Sequence, residues 1–388
     1  MEEVFYRDTW VEVDLDALRH NLRCVKKQFS ANTRFMAIVK ADGYGHGDQF
    51  VAKIALAEGA NFLGVALLDE GLHLRSIYPD VPILVLGYTH PRYIKEAIHH
   101  QISLTIFHEE ELPIIEKIAK QEGKVARLHL KIDSGMGRIG IPPQPENVVR
   151  FVQSIQKSPW LMLEGVFTHF ANADQVDMTA TQLQWDRFQQ ATAKIEKKAG
   201  FPILHAANSA AIQQFPVAHL DMVRVGIVMY GLYPSPSMQA LYPDLQQVLS
   251  FKSKISHIKT VQAGEPISYG STYVSSTTER IATIPVGYAD GYSRLLSNKG
   301  EVLICGVRCP VVGTVCMDQM MVNVSHLPNV ALDDEVVLYG KQGTEEIRLE
   351  EIAAKVGTIS YEIACQLSKR VPRKYLDGNS TSTVNYYL

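Results

Sequence analysis

Lys40 closes the apolar run Phe35-Met36-Ala37-Ile38-Val39 and opens the stretch Ala41-Asp42-Gly43-Tyr44-Gly45-His46-Gly47. The run has the texture of a buried parallel strand. A lysine at the end of such a strand is partly withdrawn from water. Withdrawal disfavours the ammonium, lowers its pKa and frees the amine to attack a carbonyl. Three glycines in the following loop allow its backbone to approach a ligand closely. Most single lysines are simply solvated, so the assignment depends on its companions. They are Lys131-Ile132-Asp133-Ser134-Gly135-Met136-Gly137-Arg138, Thr168-His169-Phe170, His205-Ala206-Ala207-Asn208-Ser209-Ala210 and Arg224-Val225-Gly226-Ile227. Together they offer an amine, imidazoles, guanidinium groups for anions, and small residues whose N–H groups and hydroxyl suit a phosphate.

Each of these segments falls at the C-terminal end of an expected strand. Strands are expected at 36–40, 62–66, 82–87, 103–107, 127–132, 163–169, 203–206 and 222–228. Amphipathic segments such as 47–58, 109–121, 146–156 and 179–198 lie between them. Eight strand–helix alternations predict a (β/α)8 barrel, whose catalytic groups gather at the C-terminal strand ends and whose phosphate site follows strands 7 and 8. A doubly wound sheet would carry G-x-G-x-x-G, whereas the spacing after Lys40 is G-x-G-x-G. From Ser250 the runs 251–261, 280–286, 301–304, 307–315, 320–324 and 335–340 are short, β-branched and separated by turns. They predict a mainly antiparallel β domain, with helices near 349–356 and 359–368. The Pro/Ser-rich Tyr233-Pro234-Ser235-Pro236-Ser237 marks the linker. The expected domains are therefore a barrel over 14–240 and a β domain over 241–388 that includes 1–13. The run 10–13 is a candidate to pair with that second domain.

With 38 basic against 41 acidic residues, the net charge of -3 gives no footprint for nucleic acid or an anionic membrane. No apolar stretch is long enough to span a bilayer. The acidic start Met1-Glu2-Glu3-Val4 lacks the apolar region of a signal peptide. Five scattered cysteines, Cys24, Cys305, Cys309, Cys316 and Cys365, fit reduced thiols in the cytoplasm, and the Cys305/Cys309 pair has no second pair to make a zinc site.

A Schiff-base lysine beside a phosphate site suggests pyridoxal phosphate. The segments 37–47, 133–140, 208–211, 224–227, Ile267-Ser268-Tyr269-Gly270, Gly287-Tyr288-Ala289-Asp290-Gly291 and Cys316-Met317-Asp318-Gln319 resemble bacterial alanine racemases, in the same order and over nearly the whole chain. The resemblance implies interconversion of L- and D-alanine, supplying D-alanine for peptidoglycan, by a homodimer with shared sites. It implies Lys40 as cofactor anchor and one base, and Tyr269, from the partner subunit, as the other. Removing a proton from one face of Cα and delivering one to the opposite face is simplest with two bases. It further implies Tyr44, Ser209, Gly226, Ile227 and Tyr361 around the phosphate, and His169 beside the ring. Arg224 would face the pyridine nitrogen and keep it unprotonated. Arg138 and the Met317 N–H would take the substrate carboxylate. Lys131, carbamylated in some members, His205 as a relay from Arg224 to Tyr269, Tyr288 in an entry corridor, and Asp318 would support them. Val225 and Tyr292 depart from residues common in the family, Phe and Trp. A non-catalytic pyridoxal-phosphate carrier lacks a β domain. A barrel decarboxylase uses an acid where Arg224 stands. A wider-range racemase, accepting serine, stays open.

Overall fold

The computed structural model describes residues 5–197 and 201–387, so Lys198, where one expected helix ends, and the first four residues lie outside the description. Strand β1 (Thr9–Asp14) comes first, and Asp14 then caps the helix Leu15–Lys26 by accepting from the N–H groups of Asp16 and Ala17. The barrel follows, built from β2 (Arg34–Ile38), β3 (Phe62–Val65), β4 (Ile83–Val85), β5 (Ser103–Ile106), β6 (Ala126–Lys131), β7 (Leu161–Phe167), β8 (Ile203–His205) and β9 (Met222–Val225). Neighbours pair in parallel from β2 to β8, and β9 returns to pair with β2. The seam between β8 and β9 is closed by Asp221 N–H to Leu204 O (3.1 Å) and Arg224 N–H to Ala207 O (3.0 Å). The strands are mostly apolar on both faces because side chains fill the barrel inside and helices cover it outside.

The strands end earlier than the apolar runs do. Lys40, His169 and Ile227 all stand just beyond a strand end, in backbone that is free to turn. The turn after β2 is not the loose glycine loop that the sequence suggests. Ala41, Asp42, Gly43 and Tyr44 take successive left-handed conformations, with φ between 53° and 58°. For non-glycine residues such a turn is strained, at roughly 1–2 kcal/mol each, and outside contacts hold it. Glu70 accepts from Ala41 N–H (2.7 Å) and from the N–H groups of Ala66 and Leu67. His46 Nδ1 donates to the carbonyls of Gly43 and Tyr44, and Tyr386 Oη donates to Asp42 (3.1 Å). The glycines serve packing against the second domain. A Cβ on Gly45 would overlap the Ala364 carbonyl, and one on Gly47 would overlap the Tyr375 hydroxyl.

The second domain contains β10 (Leu249–Lys254), β11 (His257–Val261), β12 (Pro266–Ile267), β13 (Tyr273–Val274), β14 (Glu279–Ile284), β15 (Glu301–Ile304), β16 (Val307–Val312), β17 (Met320–Asn323), β18 (Glu335–Gln342), β19 (Glu345–Ile347), β20 (Arg373–Asp377) and β21 (Ser380–Val384). Its large sheet runs β11-β14-β17-β16-β15-β18-β10-β1-β20-β21. The N-terminal β1 does enter it, antiparallel to β10 and parallel to β20. The run 251–261 is two strands, because β10 pairs with β1 and β18 whereas β11 pairs with β14. The helix Ser360–Cys365 carries Tyr361 to the barrel mouth, where its ring lies 6.0 Å from that of Tyr44.

Candidate active site

A cavity of about 390 Å³ opens at the C-terminal ends of the barrel strands. Lys40, Tyr44, Lys131, Arg138, His169, Ser209, Arg224, Gly226, Ile227 and Tyr361 all line it. Ten expected site residues, spread over more than 300 positions of sequence, therefore meet on one barrel face. Burial, and then Arg138, lower the pKa of Lys40, as a nucleophilic amine requires. Burial and Arg224 push Lys131 down to about 7, and its Nζ donates to Ile132 O (3.0 Å). Burial, then Arg224 and Arg138, hold His169 well below the ordinary histidine range, so its ring is neutral.

Arg224 is fixed by the surrounding backbone. Nη1 donates to His205 Nδ1 (3.0 Å) and His205 O (3.1 Å), and Nη2 donates to Thr168 O and Ala206 O (both 2.8 Å). Nη2 also stands 3.3 Å from His169 Nδ1. Its Nε–H meets no acceptor among the described residues. Burial and Arg138 bring its pKa to about 9, which leaves a cation at neutral pH.

The chemistry of the lining fits a phosphorylated pyridine aldehyde. Gly226 N–H donates to Ser209 Oγ (3.0 Å), while the N–H groups of Ser209, Ala210 and Ile227 meet no acceptor among the described residues. A Cβ on Gly226 would stand 3.4 Å from Tyr44 Oη and 3.6 Å from Ser209 Oγ and fill this cradle. Hydroxyls and free N–H groups around a glycine form an anion site, and the amine of Lys40 shares its cavity.

Tyr269, Tyr288, Met317 and Asp318 do not line this cavity. Tyr269 is 73% exposed, Met317 53% and Tyr288 41%. Tyr269 sits on a turn where Ser268 (φ 68°) donates to Thr314 O and Thr314 Oγ1 donates to Tyr269 O. The carbonyls of Cys316 and Met317 accept from Tyr288 N–H and Ala289 N–H, and Asp318 pairs with Arg370 (2.8 Å). Met317 N–H is left without an acceptor among the described residues.

The family model of the alanine racemase N-terminal domain matches residues 13–234, and that of the C-terminal domain matches 248–375. The chain belongs to the alanine racemase family. It is 48% identical over 381 residues to alanine racemase 2 of Oceanobacillus iheyensis, covering 98% of this chain and 96% of that protein. Among solved structures, the alanine racemase of Clostridium difficile 630 superposes with a TM-score of 0.93 at 40% identity, covering 99% of this chain and 100% of that one. The Bacillus anthracis alanine racemase with bound L-Ala-P gives 0.92 at 41% identity and 99% coverage of both chains.

One reading of this racemase chain changes with the geometry. His205 does not lead from Arg224 toward Tyr269, since both its ring nitrogens are taken, Nδ1 by Arg224 and Nε2 by His129. His169 lies on the cavity side of Arg224 instead. Sequence reasoning also passed over His129 and Glu164. The available signal was a charged residue and an imidazole inside apolar barrel strands, where polar side chains need partners.

Proposed function

We propose that the chain interconverts L- and D-alanine with pyridoxal phosphate held on Lys40, and that Lys40 and Tyr269 act on opposite faces of the substrate Cα. The observation that carries this reading is the convergence of the Lys40 amine, the Arg224 guanidinium and the Gly226 cradle in one cavity. When bound, the cofactor supplies an electron-withdrawing ring that makes the Cα proton of an attached amino acid acidic. Tyr44, Ser209, Ile227 and Tyr361 would hold its phosphate. Arg224 would meet the ring nitrogen through Nε–H. As a cation that only donates, it leaves that nitrogen unprotonated. Electron withdrawal is then moderate, which favours return of the proton to Cα over its loss elsewhere.

Arg138 has no partner among the described residues and would bind the substrate carboxylate together with the Met317 N–H. Lys40 Nζ moves the proton on one face and Tyr269 Oη on the other. Tyr269, Tyr288 and Met317 are exposed and outside their own cavity, which supports a homodimer in which each β domain completes the partner's barrel site. Such sites follow naturally from an isologous two-fold interface. The D-alanine formed would serve peptidoglycan synthesis in the cytoplasm. The test is incubation of the cofactor-loaded protein with L-alanine and measurement of D-alanine, with L-serine in parallel to gauge substrate range. Borohydride reduction should fix the cofactor on Lys40. Absence of D-alanine, or label on another lysine, refutes the reading.

A further inference from the structure

Below the cavity, the barrel interior holds polar side chains that the mechanism above does not use. Glu164 on β7, His129 on β6 and His205 at the end of β8 are buried. They form one line to Arg224. His205 Nδ1 lies 3.0 Å from Arg224 Nη1, His205 Nε2 lies 3.0 Å from His129 Nδ1, and His129 Nε2 lies 3.1 Å from Glu164 Oε2. Ser103 Oγ also donates to Oε2, and Arg127 donates to Oε1 (3.1 Å).

Two features show that the line is built. A Cβ on Gly165 would overlap the His129 ring, so the glycine makes its room. Phe167 lies flat on His205, with centroids 4.8 Å apart and planes 3° apart, which restricts the imidazole.

The direction of every bond follows from the ends. An arginine only donates, so His205 Nδ1 accepts and its proton sits on Nε2. That N–H donates to His129 Nδ1, so the His129 proton sits on Nε2 and donates to Glu164. Starting from the carboxylate gives the same order. Burial alone would push the Glu164 carboxyl up, but the hydrogen bonds from His129 and Ser103 and the nearby Arg127 guanidinium outweigh it and hold it below the ordinary carboxylate range. Any other tautomer sets two buried donors face to face, which is strongly unfavourable.

We propose that Glu164 and His129 are positioning residues for racemisation: they hold His205 in the single tautomer that accepts from Arg224, and so fix the guanidinium with its Nε–H toward the cofactor ring. This rests on the placement of that ring against Arg224. Glu164→Gln keeps the shape but allows an amide N–H to face His129, which breaks the forced order.

The test uses holoenzyme labelled with 15N-histidine, with signals assigned from His129→Asn and His205→Asn. In the wild type both rings should be neutral with the proton on Nε2. In Glu164→Gln the tautomers should become mixed, and kcat should fall about tenfold to a hundredfold, as when outer partners of a ligating histidine are lost, with KM for alanine within about twofold because neither residue touches substrate. A proton on His205 Nδ1 in the wild type overturns the proposal, and so does a loss of kcat without a tautomer change, or a tautomer change without loss. If Glu164→Gln does not fold, the wild-type spectrum still decides. If the wild type shows these tautomers but does not racemise alanine, it is the cofactor reading that fails.

Discussion

Replacing Lys131 by methionine removes a barrel amine that is 2% exposed. Its ammonium is disfavoured by burial first and by Arg224 second, and its pKa falls from 10.5 to about 7. In the unfolded chain the ordinary value returns. Below pH 7 both states hold the proton, and the folded chain bears the full penalty of a buried cation. At about 1.4 kcal/mol per pH unit between the two values, that penalty is at most ~5 kcal/mol. Between pH 7 and 10.5 the unfolded state binds a proton that the folded state lacks, so wild-type stability rises with pH relative to the variant. Above that window only the lost bond to Ile132 O and the contact over the Phe167 ring (5.4 Å) remain, worth about 1 kcal/mol in favour of lysine. Lys131→Met should therefore be more stable than wild type at pH 6 by about 2–4 kcal/mol, and the gain should vanish by pH 10. Denaturant unfolding of both proteins at pH 6, 8 and 10 in carbon dioxide-free buffer measures this. A difference that is constant with pH refutes the reasoning. The same neutral amine can take up carbon dioxide, and the resulting carbamate would give Arg138 an anionic partner. Bicarbonate should then stabilise the wild type near pH 8 and leave Lys131→Met unchanged; equal response of the two proteins shows that the lysine stays an amine.

For Tyr269→Phe, steady-state losses must match in both directions, because L- and D-alanine in free solution are mirror images with an equilibrium constant of one. Washout of the Cα proton into D2O separates the faces. Exchange from L-alanine should fall about 10²-fold or more and exchange from D-alanine far less, whereas equal losses would place both bases elsewhere. Lys40→Ala and Tyr269→Phe subunits should each be inactive, yet recover about a quarter of wild-type activity after mixing, since half of the random dimers hold one intact site. No recovery means that each chain completes its own site. Gly45 (φ 80°) and Gly123 (φ 63°) share left-handed backbone, but a Cβ on Gly45 falls well under 3.0 Å from the Ala364 carbonyl and one on Gly123 meets nothing within 4 Å. Gly123→Ala should lose about 1 kcal/mol, while Gly45→Ala should lose about 2–5 kcal/mol together with cofactor affinity; equal losses would remove the clash from the account.

The barrel was legible because its signal is local. Each strand is a short, mostly apolar run, and the chemical residues stand near or just beyond the end of such a run. What the sequence did not disclose depends on distant partners. Glycines after Lys40 read as a flexible loop, but the left-handed turn includes Ala41, Asp42 and Tyr44 and is held by Glu70, His46 and Tyr386. The alternation through 251–261 continues across the point where the chain changes partners, so it reads as one strand. The exposed Ser380–Val384 has the composition of a tail, yet it pairs with β20. His129 and Glu164 each look like one polar intruder in an apolar strand, and only closure of the barrel brings them into line.

Charge links these features. Lys40, Lys131, Arg138 and Arg224 surround the cavity, with Asp174 as the carboxylate among its lining residues. The cations disfavour one another, since Arg138 lowers the pKa of both Lys40 and Arg224, and Arg224 lowers those of Lys131 and His169. Such a cavity is stabilised by any ligand that places negative charge at its two ends, a phosphate against Ser209 and a carboxylate against Arg138. The same field favours the neutral, proton-accepting form of the Lys40 amine and holds the His169 ring neutral until that ligand arrives. Glu164 lies beyond this field, two imidazoles from Arg224. There the carboxylate can order the hydrogen bonds of the guanidinium without neutralising the cavity that must attract the anions. A carboxylate directly on Arg224 would have given the same order and lost that attraction.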